Sequence, residues 1–193
     1  MRRDAPRCAS QRAGSQLGRG LSHLRRVLQR DRLERDQEDR RRGVEVRGEY
    51  GFGLVSDECY VDLNYEGEPP KSLLQFGREG CLAVHSLSKR SGMTGYRSGF
   101  IAGDQELIAT YRRYRASMGT APQQFVQAAA EVAWTEPRHV EDRLAVFASK
   151  RDVLMQMAHK HGLKVHGSQA GLYLWLEVPD GKTDLEYAAL RRD

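Results

Sequence analysis

Three short segments follow one another in the middle of the chain, and each contains a continuous apolar run, with polar residues at its end, instead of an alternating pattern. They are FGLVSDE (52–58), CLAVHS (81–86) and GFIAGD (99–104). Strands of this kind are typical of a sheet that is covered on both faces. Turn-rich NYEGEPPKSL and a short helix predicted within SLLQFGREG separate the first two strands. This order of elements favours an α/β layer arrangement.

Helical periodicity begins after the third strand. In QELIATYRRYRASM one helical face would carry Leu107, Ile108, Tyr111, Tyr114 and Met118. APQQFVQAAAEVAW predicts a second helix that opens at Pro122. A third begins after EPRH and ends at Gly162, with an apolar stripe formed by Val140, Leu144, Phe147, Leu154 and Ala158. LKVHG and GLYLWLEVP then predict an antiparallel pair, and TDLEYAALRRD starts a last helix.

The first 48 residues have a different composition from the rest. They hold 14 arginines and 7 acidic residues, a balance of +7, and no lysine, Phe, Tyr or Trp. Residues 49–193 hold 17 basic and 19 acidic residues, a balance of −2. Only weak helical periodicity occurs, in LSHLRRVLQRDRLERDQEDRRR, and such a segment buries too little surface to offset its ordering entropy. We predict a disordered or out-of-frame leader, with an arginine-rich arm for nucleic acid as the alternative.

Several functional classes are disfavoured by the sequence. No apolar run approaches the roughly 18 residues of a membrane helix, so no membrane partner is expected. Nucleic acid is an unlikely partner, because no aromatic platform or nucleic-acid module accompanies the arginines. Cys8, Cys59 and Cys81 lack metal-site spacing and suggest reduced thiols in the cytoplasm. His159 and His161 suit a solvated surface, and no metal site is predicted.

The segment SLSKRSGMTGYRSGF (86–100) carries the clearest chemistry. Lys89 follows the second buried strand among serines and glycines, and Arg97 lies downstream. The hydroxyls of Ser86 and Ser88 and the fork of Arg97 would suit a phosphate group. Lys89 could be one more cation at this phosphate site, or a Schiff-base nucleophile for a carbonyl compound.

Asp57 and Glu58 end the first buried strand, where α/β sheets place their ligands. An aspartate there could bind a metal, act as a base or pair with a protonated ring nitrogen. Since metal-spaced partners are lacking, the ring nitrogen is the attractive choice. A phosphate, an aldehyde and a basic ring nitrogen together describe pyridoxal 5′-phosphate.

The segments SDECYVDLNYEG and HSLSKRSGMTGYRSGFIAGD resemble the fold-type I, class I and II aminotransferases, from about Tyr50 to Asp193. HSLSKRSGMTGYRSGF, APQQFVQ and GLYLWLEVP are more narrowly similar to bacterial succinyldiaminopimelate transaminases. The resemblance implies a three-layer α/β/α large domain with a mainly parallel sheet and an α+β small domain. It also implies a homodimer that acts on amino-acid and oxo-acid substrates.

Site roles follow from the same resemblance. Lys89 would be the Schiff-base lysine and the base of the proton shift. Asp57 would hold the ring nitrogen protonated, and Tyr60 would donate to the ring's 3-oxygen. Ser86 and Arg97 would hold the phosphate, with Ser88 as a helper.

The resemblance also implies a fragment. We find no counterpart in residues 1–48 of the family's earlier cofactor-binding segments, and the arginine that grips the substrate carboxylate would lie beyond Asp193. We therefore expect a leader (1–48), the later part of the large domain (49–120), and interdomain helices with a truncated small domain (121–193). The predicted activity is that of a succinyldiaminopimelate transaminase, and the alternatives are an aspartate- or alanine-type transaminase or an inactive fragment.

Overall fold

A computed structural model describes residues 33–119, 121–178 and 181–189. Its helices are α1 (Leu33–Tyr50), α2 (Leu87–Arg90), α3 (Gln105–Ser117), α4 (Gln124–Thr135), α5 (Arg138–Lys160) and α6 (Asp184–Ala189). Its strands are β1 (Leu54–Asp57), β2 (Cys81–Ser86) and β3 (Gly99–Gly103). Two short 3-10 turns, Leu73–Gln75 and Thr94–Tyr96, precede β2 and β3.

The three strands form one mixed sheet in the order β1-β2-β3. β1 pairs parallel with β2, from Leu54 opposite Cys81 to Asp57 opposite Val84. β3 runs antiparallel to β2, so that Ser86 lies opposite Gly99. The predicted α/β class is confirmed, and of the two described strand pairs one is parallel and one antiparallel. The carboxyl ends of β1 and β2 therefore lie at the same edge of the sheet.

Two apolar clusters hold the helices to the strands. In the first, Leu54, Leu73 and Cys81 are buried, and Val44 of α1 packs against them. In the second, Leu87 of α2 packs against α4 through Ala130 and Ala133. Both clusters join an apolar strand or strand end to a helix, as the continuous apolar runs predict.

The helix α1 differs from the predicted disordered leader. Residues 33–48 are helical, Val44 contacts the first cluster, and Arg47 forms an ion pair with Glu79 at 3.1 Å. The arginines that make this segment look unfoldable thus pair with acidic groups of the sheet domain. Residues 1–32 lie outside the described residues, and the predicted domain boundaries stay predictions.

Helix α3 has the predicted bounds but an unexpected environment. Its N-terminus is capped by Asp104, which accepts a hydrogen bond from the Leu107 amide at 2.9 Å. None of its residues is buried, and Tyr111, Tyr114 and Met118 of the apolar face are 38%, 62% and 49% exposed. The helical periodicity is therefore real: Leu107 and Ile108 at the start of the apolar face are partly buried, whereas the later positions of this face are exposed in the described part of the chain.

The segments after α5 form a small antiparallel unit. Val165 bridges Leu176, and the His166 amide donates to the Trp175 carbonyl at 2.7 Å, which confirms the predicted pairing. A second bridge joins Asn64 to Ala170. The chain thereby returns to the segment that follows β1, next to the edge where the candidate site residues lie.

Candidate active site

The candidate site lies at the carboxyl ends of β1 and β2. Asp57 is the last residue of β1, and its Oδ1 accepts a hydrogen bond from the Cys59 amide at 3.1 Å. This bond turns the chain directly after the strand, so that Tyr60 follows in the next turn. The Asp57 carboxylate is exposed at the sheet edge, where it is free to meet a bound molecule.

Ser86 ends β2 and begins α2. Its Oγ accepts a hydrogen bond from the Ser88 amide at 3.2 Å, which is the N-cap interaction of this short helix. Leu87 is fully buried, and it anchors the helix so that Ser88 and Lys89 follow on from the strand end. The buried leucine therefore fixes where the lysine leaves the backbone.

Lys89 reaches the residues that follow β1. Its Nζ lies 5.6 Å from the centre of the Tyr60 ring, within the range of a cation–π contact. We call Asp57, Cys59, Tyr60 and Lys89 the Lys89 cluster. The sequence analysis predicted three of these four residues as site residues, and the structure places them together.

The thiol and phenol of this cluster stay protonated at neutral pH. Burial, followed by the Asp57 carboxylate, raises the pKa of Cys59 to about 12, although Lys89 opposes the shift. Burial, then Tyr173, then Asp57 raise the pKa of Tyr60 to about 12. A neutral Tyr60 phenol can donate a hydrogen bond to an anionic oxygen of a bound molecule.

Arg97 lies at the same edge but faces another way. Its backbone is left-handed, with φ of 53°, and its Nη1 donates to the Thr94 carbonyl at 3.3 Å. Gly99, two residues on, is the strand partner of Ser86. Among the described contacts none joins Arg97 to Ser86, Ser88 or Lys89. Ser86 and Arg97, the two predicted phosphate-binding residues, therefore lie on neighbouring backbone segments without a direct side-chain contact.

A cavity of about 600 Å³ opens beside Arg97. It lies between the loop that precedes β3 and the start of α4, and its wall includes Tyr96, Arg97, Arg115, Gln123 and Phe125. Arg97 therefore borders open space in which an anionic group could be accommodated.

Three basic or imidazole side chains link α2 to neighbouring elements: Arg90 of α2 itself, and His139 and Arg143 of α5. Arg90 pairs with Asp62 at 3.3 Å and lies over the Trp134 ring at 4.9 Å. Arg143 donates to the Lys89 carbonyl at 3.4 Å, and His139 lies 2.8 Å from the Ser91 hydroxyl. Helices α4 and α5 thus brace the turn that carries Lys89.

Glu58 is a site-supporting residue to which the sequence analysis assigned no role. Its buried carboxylate accepts a hydrogen bond from the Leu73 amide at 2.7 Å and lies 3.4 Å from His85 Nε2 and 3.5 Å from Arg40 Nη1. Burial opposes its ionisation, yet the partners, His85 foremost, lower the pKa of Glu58 to about 2. The available signal was its position: it directly follows Asp57, so that the two side chains point to opposite sides of the strand end.

The part of the chain that the structure describes shows no group of three or more His, Cys, Asp or Glu side chains that could hold a metal ion. In the same residues no helix is both long enough and apolar enough to cross a membrane. The cytoplasmic location stays a prediction.

Comparison with known proteins decides the family. The family model described as aminotransferase class I and II matches residues 42–191. The chain belongs to this family. The predicted membership in the fold-type I aminotransferases is thereby confirmed, and members of this family depend on pyridoxal phosphate. The match begins within α1 and so includes the last residues of the predicted leader.

Individual relatives agree with this assignment. The chain is 37% identical over 163 residues to a probable aminotransferase of Mycobacterium tuberculosis, covering 81% of this chain and 34% of the relative. It is 30% identical over 147 residues to an LL-diaminopimelate aminotransferase of Aquifex aeolicus, covering 75% of this chain and 38% of the relative. The chain thus spans less than two fifths of the length of these relatives.

Solved structures show the same fold. An aminotransferase of Neisseria meningitidis matches with a TM-score of 0.69 and 35% identity, over 78% of this chain and 38% of that one. A mutant aspartate aminotransferase of Thermus thermophilus matches with a TM-score of 0.66 and 29% identity, over 72% of this chain and 37% of that one. The α/β arrangement therefore belongs to a larger aminotransferase fold.

Proposed function

We propose that residues 49–193 carry part of the active site of an aminotransferase, with Lys89 as the residue that binds pyridoxal phosphate. The observation that carries the proposal is the Lys89 cluster, which brings an amine, a carboxylate and a neutral phenol to one sheet edge. These are the groups that would meet the aldehyde, ring nitrogen and ring oxygen of this cofactor. The donor set therefore fits the cofactor that the family uses.

When bound, pyridoxal phosphate supplies an aromatic ring that accepts electrons from the carbon that loses its proton. Asp57, exposed at the strand end, would face the ring nitrogen and hold its proton. Tyr60, kept neutral by its raised pKa, would donate to the ring's 3-oxygen. The Ser86 hydroxyl and the Arg97 guanidinium would hold the phosphate, with Ser88 beside them.

Lys89 would be the base of the proton shift. Its amine, once free of the cofactor, would hold the proton that leaves the α-carbon of the amino acid. A positioned general base of this kind contributes on the order of 10²–10⁴-fold to the rate. The Tyr60 ring beneath the amine, the buried Leu87 and the Arg143 contact to the Lys89 carbonyl restrict where the amine can reach.

The substrate that we propose is N-succinyl-2-amino-6-oxopimelate, with glutamate as the amino donor. The similarity of HSLSKRSGMTGYRSGF, APQQFVQ and GLYLWLEVP to succinyldiaminopimelate transaminases supports it. A relative named LL-diaminopimelate aminotransferase supports substrates related to diaminopimelate, and lysine biosynthesis as the setting. The similarity to an aspartate aminotransferase structure favours the second candidate, an aspartate-type transaminase. We propose a homodimer, as in the family.

Cofactor trapping tests the first part. The purified chain is incubated with pyridoxal phosphate and reduced with borohydride, and the modified peptides are mapped by mass spectrometry. We expect the label at Lys89 and its loss from this peptide in Lys89→Ala. Lys160 on exposed α5 is the matched surface lysine, and Lys160→Ala should leave the label in place. Label spread evenly over surface lysines would contradict the proposal and favour an inactive fragment.

Substrate competition tests the second part. A separate, unreduced sample loaded with pyridoxal phosphate is offered glutamate with either the succinylated oxo acid or oxaloacetate, and 2-oxoglutarate release is measured. Faster release with the succinylated acid supports the proposed substrate, whereas faster release with oxaloacetate supports the aspartate-type alternative. Trapping at Lys89 without turnover would identify a cofactor-binding but inactive chain.

A further inference from the structure

A second phenol lies beside the Lys89 cluster. The ring centre of Tyr173 is 6.3 Å from that of Tyr60, and the planes are inclined by 56°. Tyr173 belongs to GLYLW, after α5, and none of the roles given to the cofactor site includes it. It is 70% exposed, so burial in an apolar core does not account for its position.

Hydrogen bonds join the backbone segment that follows Tyr60 to the segment that precedes Tyr173. The Gly171 amide donates to the Leu63 carbonyl at 2.8 Å, and the Tyr65 amide donates to the Gln169 carbonyl at 2.7 Å. The Tyr65 hydroxyl donates to the Gly171 carbonyl at 2.8 Å. We call this pairing of residues 63–65 with residues 169–171 the latch.

Arg151 of α5 adds side-chain contacts at the same place. Its guanidinium lies 5.4 Å from the centre of the Tyr65 ring, forms an ion pair with Glu66, and donates to the Ser168 hydroxyl at 3.3 Å. Ser168 is itself buried. The latch is therefore held from the helix as well as by its own backbone bonds, and it ends two residues before Tyr173.

We propose that Tyr173 is a positioning residue, which the latch holds against Tyr60 so that the Tyr60 ring stays beneath the Lys89 amine. This inference deepens the proposed function, because the role of Tyr60 toward the cofactor rests on that function. The contact between the two phenols can nevertheless be tested without any cofactor.

The surroundings of Tyr60 define what the test must separate. Asp57, Cys59, Lys89 and Tyr173 are the titratable groups that the structure places around it. Asp57, Cys59 and Lys89 belong to the strand ends, and only Tyr173 comes from the latch side. Tyr173→Phe keeps the ring and removes the hydroxyl, so that it changes the polar contact and leaves the covering surface in place.

Nitration with tetranitromethane at mildly alkaline pH reports the contact, because the tyrosinate form is the one that reacts. Sites are quantified by peptide mass spectrometry, with exposed Tyr114 on α3 as the internal reference. We expect Tyr60 to react more slowly than Tyr114 in the wild type, and several-fold faster in Tyr173→Phe than in the wild type. Tyr114→Phe is the matched control and should leave the Tyr60 rate unchanged. Circular dichroism confirms that each variant is folded.

Tyr65→Phe removes the latch hydrogen bond to Gly171 and should raise the Tyr60 rate in the same direction, by less. An unchanged Tyr60 rate in folded Tyr173→Phe overturns the inference. If the Tyr60 nitration rate rises in Tyr173→Phe but not in Tyr65→Phe, the contact between the two phenols stands, and the role of the latch in holding it is overturned. Borohydride trapping at Lys89, run in parallel on the wild type, reports the proposed function separately: its failure beside an accelerated Tyr60 would refute cofactor binding and leave the contact standing.

Discussion

The carboxylate of Glu58 lies 3.4 Å from Nε2 of His85, and the Glu58 side chain is fully buried. The pair joins the strand end that carries Asp57 to His85 near the carboxyl end of β2. Because the Leu73 amide and Arg40 complete the surroundings of Glu58, α1 and the turn before β2 meet at one anion. Glu58 thereby ties together the elements that set the position of the candidate site.

The first prediction concerns the acid stability of this pair. The pKa of Glu58 falls from 4.5 to about 2 on folding, so its ionised form stabilises the fold above pH 4.5, and this contribution is lost as the pH drops toward 2. At about 1.4 kcal/mol per pKa unit, the contribution is on the order of 3 kcal/mol. Urea unfolding measured from pH 7 to pH 2 should show a decline in the wild type that is reduced in Glu58→Gln.

Other carboxylates also lose stabilising contacts in acid, among them Asp104, whose pKa is lowered by hydrogen bonds from the amides of Gly80 and Leu107. The informative quantity is therefore the difference between the wild type and Glu58→Gln. Parallel pH profiles for the two proteins would contradict the assignment. At pH 7 the variant should also be less stable, because His85 and Arg40 lose their buried partner.

Much of the fold can be predicted from the sequence, because its signals are local. β2 has the bounds of CLAVHS, the helices after β3 follow their apolar periodicity, and α3 begins at its capping residue Asp104. Helix α1 could not be predicted in this way. It is held by Val44 and by ion pairs with Glu58 and Glu79, which are distant in sequence, whereas its own composition resembles an unfolded segment.

The candidate site also combines features that the local sequence predicts with features that depend on distant contacts. Asp57, Tyr60 and Lys89 follow from their motif and from the rule that parallel strands end at a common edge. The Tyr60–Tyr173 contact depends on the return of the chain after α5, which no local pattern specifies. The outward direction of Arg97 depends on its left-handed backbone conformation, which the neighbouring sequence does not predict.

The second prediction concerns Gly103, the last residue of β3. A Cβ at Gly103 would lie 2.1 Å from the Cys81 carbonyl oxygen, and Gly103 has φ of 146°. Since backbone atoms must move to relieve the contact, Gly103→Ala should lower the free energy of unfolding by about 1–3 kcal/mol or more. Gly95→Ala is the matched control, because nothing lies within 4 Å of its Cβ. Equal denaturation midpoints for the two variants would contradict this packing.

The third prediction concerns Asp104, which joins two elements through one carboxylate. Oδ1 caps α3 at the Leu107 amide, and Oδ2 accepts from the Gly80 amide at 2.8 Å, just before β2. Asp104→Ala should lower the urea midpoint of unfolding, since a cap and a second hydrogen bond are both lost. Asp104→Asn, which can still cap, should lose less. Asp152→Ala on exposed α5 serves as the surface control, and a loss there as large as in Asp104→Ala would count against the capping role.

The fourth prediction concerns Asp57 and rests on the proposed function. Asp57→Asn keeps the size of the side chain and removes the charge that would hold a proton on the ring nitrogen. Lys89 follows β2, whereas Asp57 ends β1, so the substitution leaves the amine in place. Borohydride trapping of pyridoxal phosphate at Lys89 should therefore still occur. Amino transfer from glutamate should fall by on the order of 10²-fold or more, the scale at which proton placement affects such reactions. Glu131→Gln alters an exposed carboxylate of α4, outside the Lys89 cluster and the latch, and should leave amino transfer close to the wild-type rate. Full amino transfer by Asp57→Asn would exclude Asp57 as the partner of the ring nitrogen, whereas loss of trapping together with transfer would show that its charge serves mainly to bind the cofactor.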